Sequence, residues 1–129
     1  GTGSGYQAAV LAEIVREVYS IEIVPALAAT ASSRLQELGY RNVHVREGDG
    51  TLGWPEAAPF DGIIVTAAGI EIPPALRNQL RVGARLVMPV GEANETQQLI
   101  VMTREDGGFS ERRTIPVRFV PITGGGNPR

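Results

Sequence analysis

Apolar positions along this chain recur first with a helical period and then with a strand period, and the alternation repeats. Over Tyr6–Glu17, Ala9, Val10, Ile14 and Val15 fall near helical spacing with Glu13, Arg16 and Glu17 opposite, which predicts an amphipathic helix. Val18–Ile23 is short and rich in β-branched residues, a strand signal, and Pro25 can then open a helix over Ala26–Leu38. Gly39 sits where a left-handed C-cap is wanted, and Asn42–Val45 begins another strand. Glu47–Pro59, broken by Gly48, Gly50, Gly53, Pro55 and Pro59, reads as a long loop with room for one helical turn at Pro55–Ala58.

The near-continuous apolar run Asp61–Thr66 predicts a central strand covered on both faces. Pro73–Leu80 reads as a short helix stopped near Gly83, and Ala84–Val90 as the next strand. Beyond Gly91 the pattern changes: Gln98–Thr103 and Phe109–Val117 are strand-like runs joined by the hairpin signal Asp106-Gly107-Gly108, with Val117–Val120 extending that ribbon. Strands alternating with helices and then a hairpin predict an α/β fold. Its sheet is mostly parallel and doubly wound, with an antiparallel C-terminal edge and right-handed connections. Residues 1–123 read as one domain, and Gly124–Arg129 as a flexible tail with nothing to bury.

Composition narrows the chemistry. The 129 residues are 43% apolar and 20% charged, enough for one real core, and no apolar run reaches the length of a membrane span. The absence of cysteine excludes a disulfide scaffold and thiolate chemistry and suits a reducing cytoplasm. His44 is the sole histidine, which leaves metal binding without support. A net charge of -2 with dispersed arginines and no lysine argues against a nucleic-acid partner, since phosphate neutralisation needs clustered cations. Neither a nucleic acid nor a membrane is expected as partner.

Candidate chemistry begins at Gly1-Thr2-Gly3-Ser4-Gly5, a glycine-rich loop running into a helix. Glycine lacks a Cβ and accepts positive φ, so such a loop lets backbone N–H groups approach a ligand closely, with the positive end of the helix behind them. Glu22 ends the strand about 20 residues further on, where a carboxylate can accept hydrogen bonds from ribose hydroxyls. The alternative is a surface charge at the edge of the sheet, but a carboxylate between Ile21 and Ile23 is costly to leave unpaired. Asp49, in Gly48-Asp49-Gly50 after the next strand, is positioned to accept from an exocyclic adenine amine; the alternative is a plain Asp-Gly turn. Two common nucleotide motifs fail: G-x-G-x-x-G would need a glycine at Tyr6, and a P-loop would need a lysine.

Glycines at 1, 3 and 5, an acid ending the next strand and Asp49 ending the one after resemble S-adenosylmethionine-dependent methyltransferases. Longer motifs narrow the match. Gly1–Ala9, Gly48–Gly50, Pro59–Ala68, Ile72–Leu76, Leu80–Gly91 and Phe119–Gly124 are similar to protein-L-isoaspartate O-methyltransferases over essentially the whole chain. The resemblance implies a Rossmann-like methyltransferase fold. It also implies methyl transfer to the free carboxylate of L-isoaspartyl residues in damaged proteins and peptides, a protein-repair transferase activity in which the ester collapses to a succinimide.

By motif position, Gly1, Thr2, Gly3 and Gly5 would hold the amino-acid end of S-adenosylmethionine, Glu22 with Ile23 the ribose, and Asp49 with Gly50 the adenine, while Thr123 closes over the cofactor. Thr66, Ala67, Ala68 and the backbone of Val120 and Pro121 would line the isoaspartyl peptide groove. The same resemblance places upstream of Gly1 a first strand, central in the sheet, and a Thr-Ile-Ser-like motif whose hydroxyl contacts the substrate carboxylate. No catalytic residue is then expected within this chain, and its activity as it stands is expected to be impaired. Without that strand, Val18–Ile23 and Asp61–Thr66 should flank a gap of roughly 10 Å or pair directly. The full-length protein is expected to be monomeric. Two other readings stay open: a module that binds S-adenosylmethionine or S-adenosylhomocysteine without catalysis, and a methyltransferase for a different small acceptor. His44 reads as a strand residue facing solvent or a helix, and Trp54 as packing under its loop or covering the adenine.

Overall fold

A carboxamide thirty residues away decides where the first helix ends. Helix α1 spans Tyr6–Ala12 rather than running to Glu17, because Asn42 Nδ2 donates to the carbonyls of Ala12 (3.0 Å) and Val15 (3.3 Å) and intercepts the helical ladder. The last turn tightens, with Ile14 N–H donating to Leu11 O at 2.9 Å, and the β-branched pair Ile14-Val15 falls outside the helix. The expected apolar stripe is therefore not the one that packs. Ile14 stays 73% exposed, and Ala8 is the buried residue of the helix.

The computed structural model describes residues 1–92 and 94–124, so the tail expected to be flexible lies, from residue 125 on, outside the described residues. The chain divides into two compact units, Gly1–Gly50 and Thr51–Arg129.

In the first unit, β1 (Val18–Glu22) and β2 (Val43–Glu47) form a two-stranded parallel sheet in which Val18 lies opposite Val43 and Glu22 opposite Glu47. Between them runs α2 (Pro25–Glu37), which opens on Pro25 as predicted. It closes on Gly39 at φ +87°, with Gly39 N–H donating to Gln36 O and Tyr40 N–H to Leu35 O, the paired bonds of a Schellman cap. Ala8, Val18 and Leu35 form the core, flanked by Leu11, Tyr40, Val43 and Val45.

The second unit carries β3 (Phe60–Ile64), α3 (Pro74–Asn78), β4 (Leu80–Val90), β5 (Gln97–Glu105) and β6 (Gly108–Val117). Its sheet has the order β3-β4-β5-β6, parallel between β3 and β4 and antiparallel beyond. Leu80, Leu86, Met88, Ile100 and Met102 form the core with Ile72 and Leu76 of the α3 region. The antiparallel C-terminal edge is as expected, with Asp106-Gly107 as the hairpin loop and Gly107 at φ +90°.

Three expectations are corrected here. The Asp61–Thr66 run is not a central strand in this structure: β3 ends its sheet, pairs with β4 alone, and leaves Ile64 49% exposed while Ile63 packs inward. Helix α3 ends at Asn78 and not near Gly83, because the Arg104 guanidinium donates to the carbonyls of Asn78 (3.2 Å) and Leu80 (2.7 Å) and β4 begins at once. The ribbon does not continue through Val120. Strand β6 stops at Val117, and the chain turns so that Pro121 bridges in parallel to Ala68.

Candidate functional site

In the first unit the glycine loop is a tight turn held from three sides. Gly5 N–H donates to Thr2 O at 3.0 Å, and the turn needs left-handed backbone at Gly3 (φ +56°) and Gly5 (φ +91°). Such angles cost any residue with a Cβ, and a Cβ on Gly5 would also meet Leu35 Cδ1 at 3.4 Å. A Cβ on Gly3 would meet nothing within 4 Å, so that side of the loop is open.

Glu22, at the end of β1, is 5% exposed and accepts Gly3 N–H on Oε1 (2.9 Å) and Val24 N–H on Oε2 (3.1 Å). Burial raises the carboxyl's pKa, but the N–H groups of Gly3 and Val24, the charge of the Gly1 ammonium and the Ile23 N–H together stabilise the anion more, and the net position is below the ordinary 4.5. The cost that unpaired burial would impose is thus met within the protein. Each carboxylate oxygen thus carries a backbone hydrogen bond. Gly1 lies against it: a Cβ there would come within 3.4 Å of Oε1.

Thr2 is 7% exposed, and its hydroxyl is hydrogen-bonded to that of Ser20 at 2.7 Å, so only its backbone is available to a ligand. Ser20 and Glu22 are two apart on β1 and so share one face of the strand, and both hold the loop. Arg34 adds a third tie, Nη1 donating to Ser4 O at 3.1 Å. Gly48 N–H donates to Glu22 O at 2.9 Å, which fixes the turn carrying Asp49 and Gly50 to the end of β1, beside Ile23. The structure therefore brings Gly1, Thr2, Gly3, Gly5, Glu22, Ile23, Asp49 and Gly50 to the C-terminal ends of β1 and β2. That is the end of a parallel sheet where ligands bind. The helix behind the loop has only seven residues, so its dipole is shorter than the sequence pattern suggested.

In the second unit Ala68 N–H donates to Val120 O and Ile122 N–H to Ala68 O, both at 2.8 Å. These bonds bring Thr66, Ala67 and Ala68, beyond β3, beside the strap that carries Val120, Pro121 and Thr123. Ala67 and Ala68 are buried, whereas Val120 is 72% exposed.

Sequence reasoning missed Ser20, Arg34, Gln79 and Gln97. Gln79 is buried; its Oε1 accepts Trp54 N–H (2.8 Å) and its Nε2 donates to Leu52 O (3.0 Å). The only signal in the sequence was a carboxamide beside an apolar run, which does not reveal its partner. His44 is exposed, bonded to Glu17 Oε2 at 2.8 Å and stacked on Tyr19, away from any candidate chemistry. Among the described residues no His, Cys, Asp and Glu cluster could hold a metal ion, and no helix is long and apolar enough to cross a membrane.

A model of the protein-L-isoaspartate(D-aspartate) O-methyltransferase family matches residues 1–127. The chain belongs to that family. It is 60% identical over 123 residues to the protein-L-isoaspartate O-methyltransferase of Gloeobacter violaceus, covering 95% of this chain and 60% of that protein. It is also 60% identical to protein-L-isoaspartate O-methyltransferase 2 of Syntrophobacter fumaroxidans, with 97% and 51% covered. The chain thus spans half to three fifths of these relatives' length.

Among solved structures, one protein-L-isoaspartate O-methyltransferase superposes with a TM-score of 0.90 at 30% identity, over 96% of this chain and 40% of that one. A second, described as a putative protein-L-isoaspartate O-methyltransferase from Plasmodium falciparum in complex with S-adenosyl-L-homocysteine, gives 0.81 at 24% identity, over 95% of this chain and 63% of that one. The fold is the Rossmann-like methyltransferase fold, with its antiparallel C-terminal strands.

Proposed function

We propose that this protein methylates the free carboxylate of L-isoaspartyl residues in damaged proteins and peptides, with S-adenosylmethionine as donor. The observation that carries the reading is the glycine loop latched to Glu22: left-handed Gly3 and Gly5, Gly3 N–H on the carboxylate, and a Gly1 whose missing Cβ keeps the approach to Oε1 clear. A nucleoside-bearing amino acid fits such a cradle, because a glycine backbone lets its amino-acid end approach closely and a fixed anion suits ribose hydroxyls.

On this reading Gly1, Gly3, Gly5 and the backbone of Thr2 hold the amino-acid end, Glu22 and Ile23 the ribose, and Asp49 and Gly50 the adenine. Thr123 is assigned to the cofactor as well. Thr66, Ala67, Ala68 and the backbone of Val120 and Pro121 take the isoaspartyl peptide. When bound, the cofactor supplies a methyl group on an activated sulfonium. The chain's own residues have little proton chemistry to do, since a carboxylic acid with a reference pKa near 4 is already ionised at neutral pH. Their work is to bind, align and exclude water, which converts a bimolecular encounter into an oriented one.

Isothermal titration with S-adenosylhomocysteine tests the cofactor half, and label transfer from methyl-labelled donor to an isoaspartyl peptide, with an aspartyl peptide as control, tests the rest. Saturable binding and label on the isoaspartyl peptide alone are expected. No heat at millimolar ligand, or equal labelling of both peptides, overturns the reading.

A further inference from the structure

Four polar side chains are buried among the described residues: Thr2, Glu22, Gln79 and Gln97. Thr2 and Glu22 hold the glycine loop, and Gln79 holds the backbone of Leu52 and Trp54. Gln97 is the most deeply buried, at 1% exposure, and nothing above gives it a role.

Its position explains what it does. Gln97 opens β5 opposite Val117, the last residue of β6, so the backbone ladder ends there. Two residues further on, Phe119 N–H donates to Gln97 Oε1 at 2.8 Å, and Gln97 Nε2 reaches Glu92 O at 3.4 Å. A carboxamide thus continues the ladder by one bond after the strand has stopped. The next bonds belong to Ala68, which accepts Ile122 N–H and donates to Val120 O. Pro121 between them has no N–H to offer. The register of the strap at Phe119–Ile122 is therefore set by Gln97 at one end and Ala68 at the other. Gly91 makes room for the glutamine: a Cβ there would lie 3.0 Å from Gln97 Cγ.

We propose that Gln97 is a positioning residue for the acceptor substrate, fixing the strap so that the Val120 and Pro121 backbone meets the isoaspartyl peptide in one register. This rests on the function proposed above. Removing the bond frees the strap upstream of its Ala68 tie and weakens acceptor binding, while the glycine loop and Glu22 are untouched.

The test is Gln97→Met, which keeps volume and loses the acceptor, with Gln97→Asn, a carboxamide one methylene short, as a second variant if the first does not fold. The Michaelis constant for an isoaspartyl peptide should rise about three- to tenfold, the loss of one buried hydrogen bond. The turnover number and the S-adenosylhomocysteine dissociation constant should stay within about twofold, the signature of lost uniform binding. Hydrogen exchange at the Phe119 amide should accelerate.

Faster exchange with an unchanged Michaelis constant overturns the proposal, as does unchanged exchange. Wild-type protein that binds S-adenosylhomocysteine but methylates no isoaspartyl peptide overturns the functional reading, and this inference with it.

Discussion

The two units hold their candidate site loops with different chemistry. In the first unit a carboxylate takes the backbone N–H groups of Gly3 and Val24, and a hydroxyl pair, Thr2 with Ser20, ties the loop to the same strand. In the second, neutral carboxamides do the work: Gln79 on Leu52 and Trp54, Gln97 on Phe119. A charged brace is stronger per bond but titrates, whereas a carboxamide brace is the same at every pH. The cores differ in the same direction. Small residues, Ala8 and Val18 with Leu35, close the first, while Leu80, Leu86, Met88 and Met102 fill the second at 2% exposure or less.

The largest effect that would sharpen this contrast is in the second core. Leu86→Ala removes a side chain with no exposed surface and should cost about 2–5 kcal/mol, the usual range for a buried leucine whose cavity cannot collapse. The chain carries its own reporters. Trp54, the single tryptophan, lies in the second unit, and Tyr6, Tyr19 and Tyr40 all lie in the first. Denaturant unfolding followed by tryptophan fluorescence should shift to lower denaturant. If tyrosine absorbance shifts by the same amount, the units unfold as one and the contrast is only local. If it stays, each unit carries its own stability.

Much of this arrangement was legible in the sequence where the cause is local. Gly39 read as a left-handed cap and is one, and Asp106-Gly107 read as a hairpin loop and is one, because each turn is decided by the residues in it. The carboxylate at Glu22 was legible as a strand-end acid, although its backbone partners were not. What was illegible depends on residues distant in sequence. Helix α1 stops because Asn42, thirty positions on, takes its carbonyls; α3 stops because Arg104 takes the carbonyls of Asn78 and Leu80; and past the end of β6 the chain is held at Phe119 by Gln97, twenty-two positions back. Periodicity cannot see such partners. The exposed β3 was misjudged for a related reason: an apolar run records that a strand is apolar, not how many neighbours it has in the structure.

Glu22→Gln tests the charged brace, with an intermediate effect. The carboxamide keeps one acceptor oxygen but loses the charge, and a buried hydrogen bond to a charged group contributes about 1.5–3 kcal/mol. The first unit should lose stability of that order at neutral pH. The folded-state pKa lies below the ordinary 4.5, so the unfolded state binds the proton more readily, and the carboxylate's contribution is present above that value. It is lost as pH falls through the folded pKa. The gap between wild type and Glu22→Gln, read by tyrosine absorbance against denaturant at a series of pH values, should be widest near pH 7 and close progressively below about pH 4.5. The same pH series run on Gln97→Met, read by tryptophan fluorescence, should show a gap that does not change with pH. A pH-independent gap for Glu22→Gln, or a pH-dependent one for Gln97→Met, breaks the distinction between the units.

The smallest expected effect comes from a charge pair that looks like a brace and is not one. Arg81 Nε lies 2.8 Å from Asp61 Oδ1, as short as the Gln97 bond, and it links β3 to β4 where β3 has no other partner strand. Distance alone would rank the two interactions together. Burial separates them: the Arg81 and Asp61 side chains are 60% and 84% exposed, so water already satisfies both groups and ionic screening weakens what attraction remains. Asp61→Asn should therefore change stability by no more than about 0.5 kcal/mol and by still less in high salt. A loss well above that, read by tryptophan fluorescence, would mean that the exposed edge of the second unit is held by charge. Held there by charge, the second unit would no longer contrast with the first.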